Sequence, residues 1–264
     1  MTKIALCGRG GSGKSTLAAL LARYLAANGR KVLVVDADES NRRLHGMLGL
    51  PRPPMSLMED MGGKAALKKG LLATLSHGDS IAAEELLAPL FRVEEFPHTA
   101  ISLRDCMALV EIGKIERPDE GCACPMGVLG KEFLERLDDR AWWVLVDLEA
   151  GIEHLGRGVY AGCDVFCLVL EPSAESLDLG RRMKEIARQV DRPLVVVAGR
   201  CSNFLKKPFM EALQAEGLSC RVVLPDLSAI AGANLEGSPV PLVPEVLSPL
   251  KELVGELTEA QRNI

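Results

Sequence analysis

The stretch GRGGSGKST, residues 8–16, decides the fold. From Gly8 to Ser15 it fits G-x-x-x-x-G-K-[ST]. The segment before it, KIALC (3–7), reads as a short buried strand, and the segment from Lys14 to about Ala27 reads as a helix. Strand, glycine-rich turn and helix form the context this motif requires. Gly8, Gly10, Gly11 and Gly13 permit backbone conformations that side chains forbid, so the amides around Ser12 can converge on phosphate oxygens. The helix adds its positive end to the same anion. In this geometry Lys14 reaches the β- and γ-phosphates, Ser15 ligates Mg²⁺ and Thr16 bonds the α-phosphate.

Further strands are expected at 30–38 (RKVLVVDAD), 142–147, 164–170, 193–199 and 220–225. Helical patterns fill about 174–190, 207–217, 226–235 and 243–259. Apolar strands alternating with amphipathic helices predict an α/β fold: a doubly wound, mostly parallel sheet with helices on both faces. Residues 51–141 break the rhythm and read as an elaboration within a single domain spanning 1–264. CMALVEIGKI (106–115) is expected to form a strand inside that elaboration, with the thiols of EGCACPMG (120–127) in the loop that follows.

Composition narrows the function classes. The chain has 264 residues, 48% hydrophobic and 25% charged, within the ordinary globular range. A net charge of -5 and the lack of a basic strip argue against nucleic-acid binding. The C-terminal stretch SPLKELVGELTEAQ (248–261) is mostly acidic, with Lys251 its only cation, which disfavours lipid anchoring. No run reaches the ~18 apolar residues of a membrane span. The start does not read as a signal peptide, and eight cysteines without an export signal read as reduced thiols, so a cytoplasmic protein is expected.

Three acids follow the phosphate loop. Asp36 and Asp38 close the 30–38 strand, and Asp147 closes the 142–147 strand as the natural Walker B acid. In a doubly wound sheet these strand ends lie beside the loop. Arg9 is an extra cation five residues before Lys14. With it, the chain resembles the deviant Walker A group that includes MinD, ParA and the nitrogenase iron protein. That resemblance implies ATP as the nucleotide, with Asp38 orienting the attacking water and Asp36 supporting the magnesium shell. It also implies that Gly151 is a switch glycine whose amide senses the γ-phosphate. In that group a lysine stands at position 9 and reaches a partner's nucleotide across a dimer; the arginine here keeps the charge and adds a bidentate fork. The group often places an asparagine just after the strand occupied here by VVVAGRCSN (195–203), where Gly199 and Arg200 stand instead.

Cys122 and Cys124 are two residues apart, so an extended segment presents both sulfurs to one side. One chain then supplies half of a four-thiolate site, and a twofold-related chain supplies the other half. A single metal ion, an iron–sulfur cluster or no metal at all remain open on these residues. Cys7, Cys163, Cys167 and Cys220 read as small core hydrophobes, Cys106 and Cys201 are not expected to be ligands, and the four histidines show no metal spacing.

GKIERPDEGCACPMG (113–127) and VDLEAGIEHLGRG (146–158) together resemble the nickel-insertion ATPases of carbon monoxide dehydrogenase maturation, the CooC type. The resemblance implies a cytoplasmic homodimer linked by ATP and metal, using Mg²⁺. It would hold Ni²⁺, or Zn²⁺ in its place, at Cys122 and Cys124 and pass nickel to a client enzyme. A nitrogenase-iron-protein-like ATPase with a cluster between subunits is the alternative.

Overall fold

The computed structural model describes residues 3–63, 91–114, 124–151 and 159–262. Its main sheet is built from β1 (Lys3–Gly8), β2 (Val32–Ala37), β4 (Ser102–Arg104), β5 (Met107–Glu111), β7 (Trp143–Leu148), β8 (Val165–Leu170), β9 (Leu194–Cys201) and β10 (Cys220–Pro225), in the order β10-β9-β8-β1-β7-β2-β5-β4. Neighbours pair in parallel, except that β4 runs antiparallel to β5. A separate parallel pair joins β3 (Phe91–Arg92) to β6 (Leu137–Asp138).

The helices are α1 (Lys14–Ala27), α2 (Leu44–Leu48), α3 (Leu57–Asp60), α4 (Cys124–Arg136), α5 (Ala174–Gln189), α6 (Asn203–Ala215), α7 (Ser228–Glu236) and α8 (Pro244–Arg262). Among the described residues, none is long and apolar enough to cross a membrane. Side chains of a strand alternate between faces, and here each face has its own core. Ile4, Leu6, Val32 and Val34 join Leu17, Leu21, Leu250 and Leu253 on one side; Ala5, Cys7, Leu33 and Val35 join Phe133, Phe166 and Met183 on the other. Burial on both sides is why these strands read as unbroken apolar runs.

Two expectations need revision. The strand expected at 106–115 ends at Glu111, and it pairs with β2 inside the main sheet. Part of the 51–141 segment thus extends the sheet by a hairpin, β4–β5, whose turn uses Asp105 at φ 53. The helix expected from 207 starts four residues earlier, at Asn203, and carries Pro208 within it.

Candidate functional site

The phosphate loop joins β1 to α1 at the carboxyl edge of the sheet, where open α/β folds place ligands. Its glycines are required by space as much as by torsion. Gly8 has φ 153, and a Cβ there would lie 2.6 Å from both Ser12 Oγ and the Val169 carbonyl oxygen. Gly13 caps α1 in a left-handed conformation at φ 97, as only glycine does cheaply. Lys14 is buried and its Nζ donates to the Arg9 carbonyl at 3.1 Å. Ser12 Oγ is buried with no hydrogen-bond partner among the described residues, an unused polar atom inside the cradle.

The acids converge because the strand register aligns them. Glu111 pairs with Asp36 across β5 and β2, and Asp36 with Asp147 across β2 and β7. Burial is the largest influence on all three and pushes each carboxyl up. Asp147 is pushed up to about 6, with the Ser15 hydroxyl and the Lys14 ammonium opposing the rise. Asn41 Nδ2 donates to its Oδ2 at 3.4 Å, while Oδ1 is buried without a partner among the described residues. A hydroxyl beside an orphaned carboxylate oxygen is the hard-oxygen donor set that suits Mg²⁺, so Ser15 and Asp147 fit that ion.

Asp36 is fully buried, and Lys114 Nζ donates to its Oδ2 at 2.6 Å. Lys114 also donates to the Asp38 carbonyl at 2.8 Å, and the Asp38 amide donates to Asp36 Oδ1 at 3.1 Å. Asp38 Oδ1 accepts from the Ser40 amide at 2.9 Å and the Ser40 hydroxyl at 2.6 Å. The Gly151 amide donates to the Gly8 carbonyl at 3.1 Å, with φ 87 at Gly151. Gly151, the expected switch glycine, is therefore in contact with the loop.

A cavity of about 690 Å³ opens beside them, lined by the loop from Gly10 to Thr16, by Asp38, Ser40 and Asn41, and also by Arg200, Asp226 and Asn234. Arg200 Nη1 donates to the Gly11 carbonyl at 3.0 Å from a left-handed backbone (φ 51), and Asn234 Nδ2 donates to Thr16 Oγ1 at 3.1 Å. The sequence signalled neither role, since Arg200 lies near the end of β9 and Asn234 sits within a helix far along the chain. Lys114 and Glu111 were equally silent, because only the β2–β5 register brings them to Asp36.

Arg9 points into its own chain. Its Nη1 lies 3.3 Å from Glu171 Oε1, 3.4 Å from Ser173 Oγ and 3.7 Å from Glu175 Oε2. Cys122 lies outside the described residues; Cys124 is the first residue of α4, at a helix start rather than in an extended loop. Among the described residues, no three His, Cys, Asp or Glu side chains form a metal-ready cluster. Cys7, Cys163 and Cys167 are buried in the cores, and burial raises each thiol well above its ordinary range.

The profile of the CobQ/CobB/MinD/ParA nucleotide binding domain matches residues 4–240. An uncharacterized ATP-binding protein of Methanocaldococcus jannaschii is 36% identical over 259 residues, covering 97% of this chain and 100% of its own. The carbon monoxide dehydrogenase accessory protein CooC of Rhodospirillum rubrum is 32% identical over 192 residues, 71% of this chain and 70% of its own. In three dimensions the chain is similar to the septum site-determining protein MinD of Pyrococcus horikoshii, solved with Mg-ADP. The TM-score is 0.66 at 19% identity, with all of both chains covered.

Proposed function

The chain belongs to the CobQ/CobB/MinD/ParA nucleotide-binding family, and on that premise we propose that it is a Mg²⁺-dependent ATPase of metallocentre assembly. Its cargo is nickel, held by Cys122 and Cys124 of two chains and delivered to a carbon monoxide dehydrogenase. The observation that carries the ATPase reading is the convergence of Lys14, Ser15 and Asp147, with its unpartnered Oδ1, beside one cavity. The nickel reading is supported by the likeness to CooC over 192 residues, together with the CxC pair in this chain.

The loop amides and Lys14 hold the β- and γ-phosphates, and Thr16 holds the α-phosphate. Ser15, with Asp147 and Asp36 behind it, would hold Mg²⁺, which would supply charge compensation for the phosphates. Asp38 orients the water that attacks the γ-phosphorus, and ADP leaves as the β–γ bridge breaks. Arg9 reaches the partner's phosphates once its own acidic contacts release it, so two chains close around two nucleotides. Closure brings four thiolates together, and hydrolysis separates them and frees the ion. Nucleotide can drive this only if the open and closed states differ in metal affinity.

Equilibrium dialysis with ⁶³Ni²⁺, with and without ATP, tests the reading. A dimer that binds one nickel per pair with ATP-dependent affinity, lost in Cys122→Ser and Cys124→Ser, is the expected result. Equal affinity in both conditions, or full binding by either serine variant, would refute it. A brown anaerobic preparation containing iron and sulfide would instead place a cluster between the subunits.

A further inference from the structure

We propose that Lys114 is a positioning residue for ATP hydrolysis, fixing the turn that presents Asp38 to the nucleotide cavity. The inference rests on the ATPase reading but not on the nickel one. Lys114 does not line the cavity, whereas Asp38 does. Its ammonium instead spans the turn from behind, donating to Asp36 Oδ2 at 2.6 Å and to the Asp38 carbonyl at 2.8 Å. Asp36 then reaches forward through Oδ1 to the Asp38 amide at 3.1 Å. Both backbone polar groups of Asp38 are thus anchored to one buried ion pair. Its carboxylate is set on the cavity side by the Ser40 amide and hydroxyl.

The anchor itself is rigid. Lys114 follows β5, whose continuation is tied to β2 by the Ile112 amide donating to the Asp36 carbonyl at 3.0 Å. The Met58 amide donates to the Ile112 carbonyl at 3.0 Å from α3. Gly113 is closely packed, since a Cβ there would stand 2.7 Å from Met126 Sδ on α4 and would require that side chain to shift. A lysine so held has 9% of its side chain exposed. It provides a fixed charge that no mobile surface cation could replace.

Phosphoryl transfer depends on placing the nucleophile in line, so a small rotation of Asp38 affects turnover more than binding. The loop that holds the phosphates makes no hydrogen bond to Lys114. Lys114→Met is therefore expected to lower kcat at least ~10-fold while the Kd for a fluorescent ATP analogue changes less than ~3-fold. Asp36→Asn and the double variant D36N/K114M provide a second comparison in which the buried pair is never left as a lone carboxylate. Turnover of the double variant at least ~5-fold below D36N isolates the bond to the Asp38 carbonyl.

Wild-type turnover with K114M within ~3-fold of it, or D36N/K114M equal to D36N, would overturn this inference and leave the ATPase reading standing. Equal losses in kcat and in affinity would overturn it as well, by making Lys114 merely structural. Wild-type protein that binds ATP without hydrolysing it would remove both readings together.

Discussion

Asp147→Asn should stabilise the protein in the absence of nucleotide while damaging its nucleotide chemistry. Asp147 is fully buried, and its carboxyl titrates at about 6 instead of the ordinary 3.8. The folded chain therefore binds that proton more tightly than the unfolded chain. Between these two values ν_N exceeds ν_U, so unfolding free energy falls as pH rises from about 4 to about 6, and is flat beyond. At ~1.4 kcal/mol per tenfold, the gap amounts to about 3 kcal/mol of destabilisation at neutral pH. Asparagine removes the charge and keeps one carbonyl acceptor, at the cost of about 1 kcal/mol of hydrogen bonding to Ser15 and Asn41. Net stabilisation of about 2 kcal/mol is expected at pH 7.5. The assay is urea unfolding in EDTA at pH 5, 6 and 7.5. The D147N advantage should shrink toward zero or reverse at pH 5. With Mg·ATP added, the order should invert, because ligand bound only to the folded wild type contributes RT ln(1 + [L]/Kd). A D147N protein less stable than wild type at every pH, or a difference that ignores pH, would refute the reasoning.

Four other outcomes are expected. Gly8→Ala forces a Cβ to 2.6 Å from the Val169 carbonyl at a φ of 153; it should cost about 2–3 kcal/mol and abolish ATP binding, checked by calorimetry. Lys114→Met leaves Asp36 buried and unpaired, costing about 3–5 kcal/mol in thermal unfolding, whereas D36N/K114M should regain at least ~2 kcal/mol of that. Arg9→Ala should depress ATP-driven dimerisation and hydrolysis. Glu171→Gln, which loosens a part-exposed ion pair worth ~0.5–1 kcal/mol, should tighten the ATP dimer ~2–5-fold per protomer by analytical ultracentrifugation.

Much of this site is legible in the chain because its parts are local. GRGGSGKST (8–16) sits between an apolar run and a helical one, and the loop forms where that order predicts. The strand-end acids were equally readable, since an aspartate closing an apolar run marks the carboxyl edge of a parallel sheet. What stayed hidden depends on register and long range. Asp36 meets Glu111 and Lys114 because β5 pairs with β2 across more than seventy residues of intervening sequence. Nothing in GKI (113–115) distinguishes this lysine from a solvated one. Arg200 and Asn234 reach the loop across |i−j| of 189 and 218. Arg9 shows another limit: its position suggests reach toward a partner, and only the three-dimensional proximity of Glu171, Ser173 and Glu175 shows where the guanidinium rests.

The same register bears on the proposed coupling of nucleotide to metal. Glu111, Asp36 and Asp147 stand abreast on three neighbouring strands, faced within the protein by the buried lysines Lys14 and Lys114. Burial is the main reason the Asp147 carboxyl is raised; the neighbouring Asp38 adds to it, while Ser15 and Lys14 oppose it. A divalent cation bound beside Asp147 would relieve that burial penalty, so loading and stability would be linked through one group. In the proposed switch role the Gly151 amide, which donates to the Gly8 carbonyl, would exchange that acceptor for a phosphate oxygen at little net cost, because one hydrogen bond replaces another. Gly151 leads directly into the 152–158 stretch, and Lys114 stands ten residues before Cys124. The proposed metal pair thus follows Lys114, the partner of Asp36, by only eight to ten residues of chain.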